Sequence, residues 1–194
     1  MLDIDRFIVE LDRLITTVHF YDEVYCNDEG VKAISSLSLD AAKIIQLSVH
    51  NDIVISTARL LFDGKDFKVS GNTYEYLSLY NLVSTYENYV DRELQEFRDN
   101  ILMLKSKINV QDYRNLVIAH IDKATITGQN PVPKHQIESQ TLLELLRTSR
   151  SLLFGIRLKL AEENGESSLP VTDGSVSRCG IGRKFVQRLK KYNQ

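Results

Sequence analysis

The sequence lacks the features of a membrane-spanning or disulfide-rich protein. No uninterrupted apolar stretch approaches the roughly 18 residues that a membrane-spanning helix needs. The amino terminus alternates acidic with apolar residues, which is not the pattern of a signal peptide. The only cysteines are Cys26 and Cys179, which are far apart and do not have the paired spacing of a redox or zinc motif. We therefore expect free thiols in a cytoplasmic protein with no membrane partner.

Motifs for metals and nucleotide cofactors are also missing. The sequence has no Cys-x-x-Cys, no His-Glu-x-x-His, no clustered carboxylate ladder and no glycine-rich loop after a strand. His19, His50 and His135 do not show metal-ligand spacing. The sequence therefore gives no support for a metal hydrolase, a zinc protein or a nucleotide kinase, and we expect neither a metal nor a cofactor.

The composition is that of a globular chain with an uneven charge. Hydrophobic residues make up 43% and charged residues 26% of 194 residues, which are values for one well-filled core. The last 17 residues carry +6 and no acid, so subtraction from the net charge of -2 leaves -8 on residues 1 to 177. A basic tail on an acidic body can hold a polyanion or an acidic partner, or can simply be solvated.

Apolar spacing at i, i+3, i+4 and i+7 predicts an all-α fold, a bundle of about five helices. The first helix covers residues 3 to 26, and the second runs from Ser38 or Asp40 to a stop at Asp63-Gly64. Residues 64 to 76 read as an exposed loop.

The second half of the chain continues this pattern. Helical spacing resumes at Leu77, and a long helix is predicted from about Tyr86 to Ile108. Asn109 is a good residue to begin the next helix, which should end near Thr125 to Gly128, ahead of a proline-containing turn. A final helix spans Glu138 to Ala161. The predicted domains are a bundle at 1–165 and a flexible linker with a basic tail at 166–194.

One segment of the sequence carries a chemical constellation, Asp112-Tyr113-Arg114-Asn115-Leu116-Val117-Ile118-Ala119-His120-Ile121-Asp122. An arginine is a permanent cation with a planar fork of donors, and a histidine exchanges a proton near neutral pH, so together they suit phosphate chemistry. On an ideal α-helix, His120 lies about 120° around the axis from Arg114 and roughly 9 Å along it. A second copy of the chain, or bending of the helix, is needed to bring both groups to one phosphate.

The motif resembles a known family. Arg114-Asn115, four apolar residues and then His120 resemble the Arg-x(4-6)-His motif of HEPN domains, in which a polar residue directly follows the arginine. The stretch Ala58-Arg59-Leu60-Leu61-Phe62-Asp63, with downstream Tyr76-Leu77-Ser78-Leu79, resembles the branch named for the bacterial abortive-infection protein U. The resemblance covers about residues 35 to 160. It does not extend to the first helix or to the basic tail.

The resemblance implies a metal-independent endoribonuclease that acts as a toxin or phage-defence factor, with RNA as substrate, a homodimer across a two-fold axis, and a cognate antitoxin as a further partner. His120 would transfer a proton at the ribose 2′-hydroxyl or the leaving 5′-oxygen. Arg114 would hold the scissile phosphate, and Asn115 would bind the phosphate or orient the histidine.

Several further residues are candidates for supporting roles. Four would support the motif itself: Asp112, Asp122, Arg59 and Asp63. The basic residues of the tail are weaker candidates for RNA contacts: Arg183, Lys184, Arg188, Lys190 and Lys191. For Arg59 and Asp63, the simplest interpretation is an i,i+4 ion pair on a helix surface, worth roughly 0.3 to 0.5 kcal/mol.

Three alternatives stay open at this stage. The chain is a non-catalytic HEPN module that binds RNA or a protein, or it is a structural antitoxin or immunity partner. In the plainest alternative, Arg114 pairs with Asp112 or a neighbouring helix and His120 packs at a helix interface, with no chemistry at either residue.

Overall fold

The computed structural model describes residues 2–64, 66–119, 134–166 and 179–192, which form an all-α fold as predicted. The first helix, α1 (Asp3–Tyr25), buries one apolar stripe in the core, and this stripe includes the fully buried Phe7, Leu11 and Leu14. Asp5 accepts a hydrogen bond from the Leu2 backbone N–H at 3.1 Å and so caps the start of α1. The predicted first helix is confirmed.

A short helix that the sequence analysis missed follows α1. This helix, α2 (Asp28–Ser35), begins where the Asn27 side chain accepts a hydrogen bond from the Gly30 N–H at 2.7 Å. Helix α3 (Leu39–Thr57) begins after Ser38, as predicted, and its last turn widens into a π-turn, Ala58–Phe62. Asp63 follows in extended conformation, so the helix ends where the sequence indicates.

The exposed loop predicted at 64 to 76 is wrong in one respect, because most of it is a hairpin. Strands β1 (Asp66–Val69) and β2 (Asn72–Glu75) pair antiparallel through the turn at Ser70-Gly71, where both residues have positive φ. Polar and apolar residues alternate in β1, but each strand has only four residues and every strand residue is exposed, so neither strand has the half-buried face of a typical strand.

The single long helix predicted from about Tyr86 to Ile108 is also wrong. The structure has α4 (Leu79–Thr85), a 3₁₀ turn (Glu87–Tyr89) and α5 (Arg92–Lys105). The break occurs because the Asp91 side chain accepts a hydrogen bond from the Leu94 N–H at 3.0 Å, which starts α5 afresh.

The motif lies on α6 (Val110–Tyr113), which begins after Asn109 as predicted and continues as a π-turn, Arg114–Ala119. The predicted end of this helix near Thr125 to Gly128 lies outside the described residues. Helix α7 (Ser139–Glu163) confirms the predicted last helix of the bundle and contributes its leucines to the core. A Cβ on Gly155 would lie 2.4 Å from the Leu94 side chain, so this glycine permits the close packing of α5 against α7.

The basic residues after 178 lie on α8 (Ile181–Tyr192), which packs on α1 and α2. The rings of Phe185 and Phe20 are 5.7 Å apart. The Glu23 carboxylate accepts hydrogen bonds from the backbone N–H groups of Gly180 at 2.6 Å and Gly182 at 2.8 Å. The linker lies outside the described residues, so the division at 165 stays a prediction. Among the described helices, none is both long and apolar enough to cross a membrane.

Candidate functional site

Side chains of α5 and of the motif helix α6 bond carbonyl groups of the π-turn that ends α3. Lys105 Nζ donates to the Leu61 carbonyl at 2.6 Å, and Gln111 Nε2 donates to the Phe62 carbonyl at 2.9 Å. The last carbonyls of a helix have no partner within it, so these two bonds satisfy groups that would otherwise need water. Burial lowers the pKa of Lys105. The next residue is Asp63, whose position is thereby fixed relative to α6.

Asp63 meets the arginine of the motif. Arg114 Nη1 donates to Asp63 Oδ1 at 2.7 Å, and Arg114 Nε donates to Asn115 Oδ1 at 3.1 Å. The side chain of Arg114 is 22% exposed and that of Asp63 is 11% exposed. Partly desolvated charge-assisted bonds of this kind are stronger than surface ion pairs. The guanidinium therefore has a defined orientation and still reaches the protein surface.

The backbone at Arg114 is not an ordinary α-helix. Residues Arg114–Ala119 form a π-turn, in which hydrogen bonds join residues five apart. Ideal α-helical geometry therefore does not describe Arg114–Ala119. His120 and Asp122 lie outside the described residues.

The ion pair expected between Arg59 and Asp63 is wrong. Arg59 Nη2 instead donates to Glu10 Oε2 on α1 at 3.2 Å, and Asp63 is paired with Arg114. The π-turn at 58–62 explains the difference, because it alters the i,i+4 alignment that an α-helix would give. Arg59 thus lies with the α1 surface, whereas Asp63 lies with the motif.

The alternative pairing of Arg114 with Asp112 is not what the structure shows. Asp112 is exposed in the first turn of α6, where a negative charge is favourable to the helix dipole. Of the supporting candidates with described positions, only Asp63 contacts Arg114 in this structure.

A group of rings adjoins the motif on its other side. The Tyr113 ring lies 4.9 Å from His135 and 5.9 Å from His50, in both cases edge to face. The two histidines approach each other through their Nε2 atoms at 3.5 Å. The Asn109 N–H donates to the His135 carbonyl at 3.0 Å, so the segment before α7 is tied to the start of the motif helix.

The hydrogen bonds of His135 assign its tautomer. The Ile137 backbone N–H donates to His135 Nδ1 at 2.9 Å, so the ring proton is on Nε2 and points to Nε2 of His50. Burial, together with the neighbouring His50, lowers the pKa of His135. His135 is therefore a neutral ring at physiological pH.

With this geometry in hand, comparison with known proteins identifies the family. The family model HEPN_AbiU2, described as AbiU2, matches residues 1–156. The chain belongs to the AbiU2 family of HEPN domains. The match contains Arg114, Asp63 and the first helix, which the resemblance in sequence did not reach. Helix α8 of this HEPN protein lies beyond the matched residues. Neither the curated proteins nor the solved structures give a match.

One group of potential metal ligands occurs in the described part of this HEPN chain, away from the motif. His19, Glu23 and Cys179 offer atoms within 4.8 Å of one another. Arg147 Nη2 lies 3.1 Å from His19 Nε2, and Arg183 Nη2 lies 3.5 Å from Cys179 Sγ. Two guanidinium groups already contact these atoms, and their charge disfavours a further cation.

The basic residues predicted to contact RNA lie on α8. Lys190 Nζ pairs with Glu29 on α2 at 2.8 Å, and Arg183 Nε is 3.6 Å from Glu23. Lys184, Arg188 and Lys191 are exposed. Part of the basic charge therefore attaches α8 to the acidic bundle, and the remainder faces solvent.

The positions of His50 and His135 beside the motif were not predicted from the sequence. Residues 50 and 135 are 85 positions apart, and no local sequence pattern predicts such a contact. The only available signal was the position of Tyr113 directly before Arg114.

Proposed function

We propose that this protein is a metal-independent endoribonuclease in which Arg114 holds the scissile phosphate and His120 transfers a proton. The observation that carries the proposal is the Arg114–Asp63 ion pair at 2.7 Å, which orients a partly exposed guanidinium within the family match. A guanidinium has five N–H donors, and the contacts to described residues use one on Nη1 and the one on Nε. We propose that other donors of this guanidinium bind the phosphate.

The reaction is a transesterification within RNA. His120 removes the proton of a ribose 2′-hydroxyl, and the 2′-oxygen attacks the adjacent phosphorus. The bond from phosphorus to the 5′-oxygen breaks, which leaves a 2′,3′-cyclic phosphate and a 5′-hydroxyl. A second histidine, from another copy of the chain, supplies the proton to the 5′-oxygen. Arg114 stabilises the charge that develops on the non-bridging oxygens, and Asn115 helps to orient its guanidinium.

A surface of α3 supports the homodimer that this mechanism uses. Ile44, Leu47 and Ile55 follow one another at helical spacing and are 67%, 61% and 43% exposed. Exposed apolar side chains grouped on one face of a helix favour an interaction site, and α3 packs directly against the π-turn of the motif. A symmetric contact through this stripe would bring two motifs near one another. Leu47→Glu is expected to give a monomer by light scattering and to abolish cleavage.

The exposed cations of α8 supply a second contact for the RNA backbone. Lys184, Arg188 and Lys191 face solvent on a helix that is itself docked on the bundle. Neutralising phosphates releases counterions, so this contribution is independent of sequence and weakens with salt. In the cell, we propose a toxin or phage-defence role that a cognate antitoxin holds in check.

The test is incubation of wild-type and His120→Ala protein with total bacterial RNA in the presence of a chelator. The proposal predicts cleavage by the wild type alone, with cyclic-phosphate ends. Cleavage that needs a divalent metal, or cleavage that survives in His120→Ala, would contradict it.

The second candidate is a non-catalytic RNA-binding module, favoured by the exposed cations of α8 together with the Asp63 carboxylate that already occupies Arg114. A phosphate must compete with this group for the guanidinium. For this function, His120→Ala leaves RNA binding unchanged and neither protein cleaves, whereas truncation after residue 178 lowers RNA affinity.

A further inference from the structure

A groove borders the motif helix at Tyr113. It has a volume of about 840 Å³ and is bordered by Lys107, Tyr113, Lys134, His135, Glu138 and Thr141. Ligand sites in proteins are typically about 300 to 1,000 Å³. The groove is therefore large enough for a nucleotide.

One wall of the groove carries aromatic rings whose arrangement is fixed. The Tyr113 and His135 rings are 4.9 Å apart at 87°, and His50 lies behind both of them. His135 is held by the bond from the Ile137 N–H to its Nδ1 at 2.9 Å. Preformed rings of this kind offer a surface on which an unpaired base can stack without first ordering the protein.

The rim of the groove carries positive charge. Lys107 and Lys134 are both exposed, and in the described part of the chain neither forms an ion pair with a carboxylate. Two lysines outnumber the one carboxylate, Glu138, among the described residues that border the groove. Backbone phosphates are ligands for such lysines.

The groove and the candidate catalytic arginine are joined through the backbone. Tyr113 and Arg114 are consecutive, with Cα atoms about 3.8 Å apart. The bond from the Asn109 N–H to the His135 carbonyl at 3.0 Å holds the groove segment against the same helix. A nucleotide in the groove would therefore lie next to a phosphate bound by Arg114.

We propose that this groove binds an unpaired nucleotide of RNA next to the scissile phosphate, with its base on Tyr113 and His135 and its flanking phosphates on Lys107 and Lys134. The inference rests on the proposed ribonuclease function and narrows its substrate class to single-stranded RNA. Splayed bases that stack on aromatic side chains are the usual means by which proteins recognise single strands. A continuous duplex keeps its bases stacked on one another and cannot fill the groove.

The experiment measures binding separately from cleavage. The probe is a short fluorescent single strand of 2′-O-methyl RNA, which lacks the attacking hydroxyl, and affinity is read by fluorescence anisotropy at several salt concentrations. The variants are Tyr113→Leu, Tyr113→Phe and the double variant Lys107→Ala with Lys134→Ala. The matched control replaces Lys32 and Lys68, which are exposed on α2 and β1 and do not border the groove.

Tyr113→Leu should weaken binding by about 5- to 150-fold, the range measured for loss of one stacked base, and Tyr113→Phe should bind like the wild type. The double lysine variant should lower the slope of log affinity against log salt by about 0.7 for each phosphate that is no longer neutralised. The control should keep the wild-type slope. Thermal melting checks that Tyr113→Leu is folded, and the lysine variant tests the groove independently of that substitution.

Three results would overturn the proposal that the groove binds a nucleotide, and two of them concern variants or duplex RNA. In one, the lysine and tyrosine variants bind the single strand like the wild type. In the other, the wild type binds a duplex of the same sequence as tightly as the single strand. If the wild type cleaves natural RNA but either result is found, the ribonuclease proposal stands and only the proposal of nucleotide binding in the groove is rejected. Failure of the wild type to bind the probe would also reject the groove.

Discussion

The Arg157–Asp5 and Arg114–Asp63 ion pairs have different surroundings, which give them different roles. Arg157 on α7 donates to Asp5 on α1 at 3.0 Å and to Glu166 at 2.5 Å, and the side chains of Arg157 and Asp5 are each 5% exposed. Arg114 donates to Asp63 at 2.7 Å and is 22% exposed. The chemistry is the same in both places. Burial decides which guanidinium can also meet a ligand.

The two pairs also differ in the backbone that carries them. Asp5 and Arg157 lie on regular helices, where the pair closes the α1–α7 contact of the core. Arg114 and Asp63 both lie at π-turns, Arg114 at the start of one and Asp63 directly after the other. Single π-turns inside helices are frequent at functional sites. The Arg114 pair thus has two features of a site, access and an altered backbone, that the Arg157 pair lacks.

The largest expected effect is the loss of stability when the buried Arg157–Asp5 pair is broken. Asp5→Ala leaves the Arg157 guanidinium with only its second carboxylate, and loss of one partner from a buried pair costs about 3 to 5 kcal/mol. Urea denaturation measures the change in the free energy of unfolding. Glu87→Ala is the control, because its pair with Arg98 is exposed and should contribute about 0 to 1 kcal/mol. Equal losses for the two variants would contradict the structural role of Asp5.

An intermediate effect is expected when the carboxylate of the accessible Arg114–Asp63 pair is replaced. Asp63→Asn removes the charge that competes with phosphate, so RNA affinity should rise. The same change loosens Arg114, so turnover should fall by about tenfold, or ~1.4 kcal/mol in the barrier. Cleavage kinetics report the two effects separately as KM and kcat. Asp112→Asn is the control, because Asp112 is an exposed acid on the motif helix α6, and it should change neither KM nor kcat. An unchanged kcat for Asp63→Asn would contradict a role for Asp63 in the site.

The smallest effect is a pH dependence of the free energy of unfolding that arises from His135, beside the motif. Burial lowers the pKa of His135, with His50 as a second cause. An unfolded histidine has a pKa of about 6.5, so below that pH the unfolded chain binds more protons and the free energy of unfolding decreases. His19 acts in the same direction, because burial lowers its pKa too. Denaturation between about pH 7.5 and 5.5 should show this fall, and His135→Gln should make it shallower. A flat profile would contradict the buried neutral ring.

Much of the fold could be predicted because its long helices are amphipathic and carry clear start signals. The stripe on α1, the cap at Ser38 and the leucines of α7 are local patterns, and each matches an observed element. Helix α2 was missed because its start depends on one Asn27 side-chain bond. The hairpin was missed because each strand has only four residues and both faces are exposed, so the short alternation in β1 is a weak signal.

The candidate site could be predicted only in part. Arg114, Asn115 and His120 are close in sequence and form a recognisable pattern. The partner of Arg114 is 51 residues away, and the π-turns that permit their contact have no sequence signature. The contact of Tyr113 with His50 and His135 likewise depends on tertiary packing.

The most direct test of the account is the cleavage rate of Arg114 variants in chelator, on single-stranded RNA, with Arg98→Ala as the matched surface arginine. Loss of a group that stabilises transition-state charge costs about 100- to 1,000-fold in rate. We expect a loss of this size in Arg114→Ala, little recovery in Arg114→Lys because a lysine lacks the planar fork, and wild-type rates in Arg98→Ala. Arg114→Ala that is folded and cleaves as fast as Arg98→Ala would contradict the account.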